Sequence, residues 1–198
     1  MTLPSTMLRP HWLGGFLLVL GTLAAAASQF SPALEDDPAL HAFHDRIEGY
    51  VALHRRLEAR LPALQPTTDP FKTYLSRQLL ANAIRKARPA AQQGDVFTPD
   101  VARAFRTIVL RALAGRNIED LLPDVEGERP RRNGFELLVN EPYPVEASHE
   151  VPPVLLQKLP PLAGDLEYRV VGRMLVLWDA HANLVVDYLR DAFMREST

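Results

Sequence analysis

Six histidines and no cysteine set the terms for any chemistry this 198-residue chain can do. His41, His44 and Glu48 recur at helical spacing. At 100° per residue they fall within about 60° of one another on one helix face. Two imidazoles three residues apart, with a carboxylate one turn further, offer the donor types that zinc or nickel takes. The order is not the His-Glu-x-x-His of a zinc protease. The competing reading is a solvated face, because Asp45 and Arg55 lie beside these residues and the apolar stripe lies elsewhere. His54 falls between Val51 and Leu57 on that stripe, where a histidine hydrogen-bonded to a carbonyl or a neighbouring side chain is expected. As a general base it would need a partner, and no Ser or Asp can be assigned to it. Gln78 and Asn82 interrupt the apolar pattern of a later helix and could form a polar network with His54. Asp179, His181 and Asn183 end an apolar run. Asp and Asn bond their own backbone in turns, so a polar β-turn with His181 at its tip is the leading expectation. A small ligand-binding site on these three residues is the alternative.

The stretch Leu177-Trp178-Asp179-Ala180-His181-Ala182-Asn183-Leu184 resembles the opening motif of calcineurin-like metallophosphoesterases. In those enzymes an Asp and a His at a strand end hold one ion of a two-metal centre. That family supplies further Asp, Asn and His ligands much later in the chain. Here 15 residues follow Asn183, none is His, and a strand is expected where the family has a helix. The resemblance stops at eight residues and implies no phosphoesterase.

Composition closes other routes. With 22 Lys and Arg against 24 Asp and Glu, the net charge of −2 argues against a nucleic-acid partner. A hydrophobic share of 47% excludes a wholly disordered chain. Zero cysteine excludes disulfides, thiolate catalysis, Cys-ligated zinc, iron–sulfur clusters and lipid attachment through Cys. There is no Gly-rich phosphate loop and no Gly-x-Ser-x-Gly elbow. Arg77, Arg85, Lys86 and Arg88, then Arg103, Arg106 and Arg111, make basic helix sides. These suit acidic partners, phospholipid headgroups or plain solvent.

The elements that must position these residues follow from punctuation. Arg9 is the one charge among residues 1–11, Trp12–Leu23 is uncharged and apolar, and Ala24–Ala27 supplies small side chains. Residues 1–27 therefore read as a signal peptide cut at Ala27–Ser28. Trp12–Ala27, at 16 residues, is short of the ~20 that span a bilayer. Export to a bacterial periplasm or medium is expected, with no stable membrane span after cleavage. Residues 28–37 read as a disordered acidic leader, and 38–195 as a single α+β domain.

Within it, residues 38–122 are expected to hold about three helices, opened by Asp37-Pro38, Asp69-Pro70 and Thr98-Pro99. Phe43, Ile47, Tyr50, Val51, Leu57 and Leu61 stripe the first. Phe71, Tyr74, Leu75 and Leu79 stripe the second, with Leu80 and Ile84 opposite; Val101, Phe105, Ile108 and Ala112 line the third, stopped at Gly115. Residues 123–161 hold eight prolines and read as an extended segment laid over the fold, with 136–139 as one short strand. Residues 162–195 predict a three-stranded antiparallel meander. Its strands are Leu166–Val171, Met174–Asp179 and Leu184–Leu189, with a Gly172-Arg173 turn. A closing helix over Arg190–Arg195 is also expected. Residues 28–122 carry 13 basic and 11 acidic side chains, residues 123–198 carry 8 and 13, so the two parts attract each other.

The run Leu166–Arg173, Leu175–Leu177 and Asp179–Asp187 resembles a family of uncharacterised bacterial exported proteins. So do Phe43–Arg46, Leu53–Glu58 and Gly94–Pro99. That resemblance covers most of the mature chain and implies no activity. The hairpin is more distantly similar to small periplasmic proteins of metal homeostasis. The expectation is an exported, non-catalytic binding or interaction domain with an unknown protein or small-molecule partner. A periplasmic metal-binding or metal-sensing protein using His41, His44 and Glu48, or Asp179 and His181, is the alternative. An unrecognised hydrolase around His54 is the third.

Overall fold

In the computed structural model of the protein, the described residues are 37–62, 68–114, 116, 118–121, 136–144 and 148–193. Residues 1–27, read above as a signal peptide, most of residues 28–37, read as an acidic leader, and Gly115 lie outside them. Helix α1 spans Pro38–Glu58 and α2 spans Pro70–Ala87. Each starts on the same device: an aspartate caps the first turn and proline takes the first helical position, where no N–H is needed. Asp37 accepts from the Ala39 N–H at 2.8 Å and Asp69 from the Phe71 N–H at 2.9 Å. Helix α3, Pro99–Leu113, opens on Thr98 without a side-chain cap and ends at Ala114 in the left-handed region, φ 48°. A four-residue turn, α4 (Ile118–Leu121), follows.

The sheet has four strands in the order β1-β2-β3-β4, all antiparallel: β1 His149–Glu150, β2 Leu166–Val171, β3 Met174–Asp179 and β4 Leu184–Leu189. The α+β architecture with a C-terminal meander stands as expected, with one strand more. That strand, β1, pairs His149 with Val170 and Glu150 with Arg169. Pro152 and Pro153 follow after Val151; lacking N–H groups, they cannot continue a ladder. The chain instead makes a helical turn, α5 (Pro153–Leu156), which buries Leu155 fully. Two further expectations are corrected. Residues 136–139 form no strand; they lie against the outer sheet face, burying Leu137 beside Val176 and Val185. Residues 190–193 are a turn with Asp191 at φ 50°, not the start of a helix. Residues 194–195 lie outside the described part. Gly172 takes φ 55° in the β2–β3 turn, which a glycine adopts without steric cost.

Side chains sort by the two-residue period of a strand. Leu166, Tyr168 and Val170 of β2 and Leu175 and Leu177 of β3 face the helices, sharing one core with Phe43, Ile47, Ile84, Phe105 and Ile108. Val176 and Trp178 face the other way, where Tyr143 stacks on Trp178 with ring centroids 4.9 Å apart. In β4 the alternation slips. Leu177 pairs with Asp187 but Trp178 pairs with Val185, so Val186 is an extra residue. A bulge of this kind sends two successive side chains to one face. Val186 and Asp187 both turn toward the helical layer, while Tyr188 rejoins Val185 on the outer face. Asp187 there accepts from the backbone N–H groups of Gly94, Val96 and Phe97 at 2.7–2.9 Å, and from Tyr188 at 2.7 Å. One fully buried carboxylate thus pins the loop before α3 to the last strand. Among the described residues, no helix is long and apolar enough to cross a membrane.

Candidate metal centre

Helix α1 carries Phe43, Ile47, Tyr50 and His54 at intervals of four, three and four residues, one inward stripe. Glu58, one turn beyond His54, continues the stripe to the end of the helix, where it is exposed. On β3, Asp179 is in phase with Leu175 and Leu177, so its carboxylate also faces the helices, and it is fully buried. The two elements meet there. Asp179 Oδ2 accepts from the Tyr50 hydroxyl at 2.7 Å and lies 2.7 Å from His54 Nδ1. Its Oδ1 accepts from the Ala182 N–H at 2.7 Å, which closes the turn that carries His181.

A carboxylate accepts only, so the proton between Asp179 and His54 sits with Nδ1. In the neutral ring this leaves the lone pair on Nε2. That atom is buried and has no hydrogen-bond partner among the described residues. Around it stand Glu58 Oε2 at 3.8 Å and Asp165 Oδ2 at 4.0 Å. The His181 ring follows, with its centroid 5.6 Å from that of His54 and its Nδ1 3.4 Å from Glu58 Oε1. Among the described residues, His54, Asp165 and His181 are the one set of three such side chains whose donor atoms converge, all within 4.8 Å. Asp165 reaches the site because the chain passes close to α1 at Gly164. Its φ is 67°, and a Cβ there would stand 3.4 Å from a Val51 methyl. The Ala180 N–H then holds the Asp165 carbonyl at 2.9 Å. His54 closes the inner wall, while His181, Glu58 and Asp165 leave the outer side open to solvent.

The electrostatics follow from the hydrogen bonds. The bond to Asp179 raises the His54 pKa; burial opposes this, and the charges of Asp179, Glu58 and Asp165 add to the rise. Burial pushes Asp179 up, but its bonds from His54, Ala182 and Tyr50 outweigh that and hold it below the ordinary carboxylate value. Burial, then the Asp179 charge and hydrogen bond, push Tyr50 well up, so it stays a neutral donor. The pH dependence has two limbs of opposite sign. A raised imidazole pKa adds stability that is full below the unfolded value and lost as pH rises through the folded one. A lowered carboxyl pKa adds stability that is full above the unfolded value and lost as pH falls through the folded one. Metal-free protein is therefore expected to be most stable in the mildly acidic range, between these titrations. Thermal melts in chelator across pH 3–9 check it, and His54→Ala should flatten the alkaline limb.

His41 and the His44–Glu48 pair, 4.0 Å apart, lie on the exposed side of α1 and outside the converging set. Of the turn residues, Asp179 and His181 belong to the site and Asn183 does not. Asn183 takes φ 53° and its Oδ1 accepts from Trp178 Nε1 at 3.2 Å, a turn-forming role. Among the described residues, no hydrogen bond joins His54 to Gln78 or Asn82, the network that these residues could have made. Asn82 is exposed and accepts from Arg85, because its side chain points away from α1. Tyr50, Glu58 and Asp165 carry no signal of their own in the sequence. The spacing Tyr50, His54, Glu58 and the phase of Asp179 with Leu177 were the clues available. Comparison with known families, curated proteins and solved structures finds no match for this chain.

Proposed function

We propose that the chain is an exported, non-catalytic binding domain whose ligand is a transition-metal ion, zinc foremost. His54 Nε2, His181 and Asp165 hold it, with Glu58 as the fourth donor. One observation carries the reading: a buried imidazole nitrogen without a hydrogen-bond partner among the described residues, its ring fixed from behind by a buried carboxylate. Metal-bound histidines are oriented in this way, the carboxylate setting the tautomer and raising ligand basicity. Tetrahedral zinc with bonds of 2.0–2.1 Å separates its donors by about 3.3–3.4 Å. The 3.8 and 4.0 Å from Nε2 to Glu58 and Asp165 are somewhat longer than that, so these side chains would have to draw in on an ion. Imidazole and carboxylate donors without thiolate suit zinc, nickel and copper(II) and give no preference for copper(I).

The non-catalytic part rests on what surrounds Nε2: two carboxylates and an imidazole, with the nearby Tyr50 hydroxyl committed to Asp179. The converging set has three donors; Glu58, 3.8 Å from Nε2 and 3.4 Å from His181 Nδ1, would have to draw in as the fourth to complete a tetrahedron and leave no open position for a substrate. Export rests on the basic, apolar and small-residue order of residues 1–27.

Calorimetric titration of chelator-treated protein with zinc chloride is expected to give one ion per chain. His181→Ala and Asp165→Asn, both at solvent-reached positions, should each weaken binding by at least about tenfold, since each removes a donor. The His41→Ala, His44→Ala double variant should titrate as wild type. Absence of binding, or unchanged affinity in the first two variants, would sink the reading.

A further inference from the structure

Four of the seven large hydrophobic side chains that stand exposed among the described residues lie on one helix. They are Phe71, Tyr74, Leu75 and Leu79 of α2, exposed by 68, 59, 47 and 41%. At 100° per residue they occupy an arc of about 140° over two turns. The opposite side of α2, with Leu80, Ala81 and Ile84, is what the core takes. The stripe that dominates the helix by size is thus the one left outside. A soluble domain seldom leaves a contiguous apolar ridge without a use.

Charge says what fits it. Helix α2 has no acidic residue and carries Lys72, Arg77, Arg85 and Lys86. Arg85 is tied to the Asn140 carbonyl at 2.8 Å, while Lys72, Arg77 and Lys86 are exposed. Over residues 55–86 there are seven basic and two acidic side chains, in a chain whose net charge is −2. One of the two acids, Asp69, is the helix cap. A second copy of the chain is a poor occupant, because two-fold packing of this face would set Lys72 and Arg77 against their own copies. A convex ridge of aromatic and leucine side chains flanked by cations matches a helix lying at the headgroup boundary of an anionic bilayer.

We propose that α2 docks the protein on anionic phospholipid, with Phe71, Tyr74, Leu75 and Leu79 entering the acyl boundary and Lys72, Arg77 and Lys86 meeting the headgroups. The proposal does not rest on the metal centre, whose residues lie on α1 and the sheet side of the fold.

The chain has no cysteine, so Gln78→Cys, in the middle of the ridge, takes a single environment-sensitive fluorophore; Asp100→Cys on α3 serves as the control. The probes are vesicles of phosphatidylglycerol and phosphatidylcholine in equal parts and vesicles of phosphatidylcholine alone. With the first, the label at 78 is expected to shift to the blue and the label at 100 to stay put. Raising salt from 25 to 500 mM should weaken sedimentation with these vesicles several-fold. Phe71→Ser with Leu75→Ser should weaken it at least about tenfold. Lys72→Glu with Arg77→Glu should abolish the preference over neutral vesicles, and His181→Ala should bind as wild type. An unmoved label at 78, or serine variants that sediment like wild type, would overturn the proposal. So would a lipid-free dimer that the serine variants dissociate, since the face would then belong to self-association.

Discussion

Replacing Asp187 with alanine is expected to cost the domain about 3–5 kcal/mol of its stability, a substantial share of the roughly 5–15 kcal/mol that holds a domain folded. The carboxylate serves four backbone N–H groups, three of them in the loop that leads into α3. Val96 and Phe97 are buried, so two of those groups lose their acceptor where water reaches them poorly. An orphaned buried donor costs about 1–3 kcal/mol, and relaxation of the loop keeps the total below the simple sum. Burial raises the pKa of this carboxyl while the four N–H bonds pull it down, so the site works by satisfying donors, not by pairing charge. Urea denaturation should show a lower midpoint with an unchanged slope, and the amides of Val96 and Phe97 should exchange early. Asp187→Asn, with one acceptor oxygen, should fall between. A loss under about 1 kcal/mol for the alanine variant would mean that the loop is held by its apolar side chains alone.

Asp179→Ala is expected to act twice. It strips partners from Tyr50, His54 and the Ala182 N–H together, which costs about 3–5 kcal/mol in the metal-free protein because a buried pair is broken from one side. It also frees the His54 ring, which should weaken zinc binding by about 10–100-fold although Asp179 touches no metal. Tyr50→Phe separates the two effects. It removes one hydrogen bond to the same oxygen, about 1 kcal/mol, and leaves the His54–Asp179 contact in place. Its zinc affinity should stay within about threefold of wild type, since the ring remains held. Thermal melts in chelator and zinc titrations on the three proteins decide the matter. Equal losses of affinity in Asp179→Ala and Tyr50→Phe would assign Asp179 a packing role only.

Local chemistry made much of the fold legible. The Asp-Pro starts of α1 and α2 act within three residues, and the cap bonds form where those dipeptides stand. The alternation of Leu166, Tyr168 and Val170 and the Gly172 turn are equally local, and the meander follows from them. Where neighbours decide, local pattern and structure part. A two-residue strand such as β1 has no periodicity to detect and exists because β2 offers an edge. Residues 136–139 look like a strand by composition, yet they are used to cover the outer face of the sheet. On α2 the apolar stripe with the larger side chains is the exposed one, because packing selects the side that fits the core.

The site divides along the same line. On α1 and β3 the sequence by itself determined which side chains face inward. The 3.6-residue period puts Tyr50 and His54 on the buried stripe of α1, and the two-residue period puts Asp179 on the inner face of β3. These follow from backbone geometry within one element. Only the tertiary structure decided that His54 meets Asp179 across 125 residues. The same holds for His181 and Asp165, which approach from two different turns, and for His41 and His44, which remain outside. Such pairings depend on how helix and sheet pack and where Gly164 lets the chain pass Val51. No spacing within a single element encodes them.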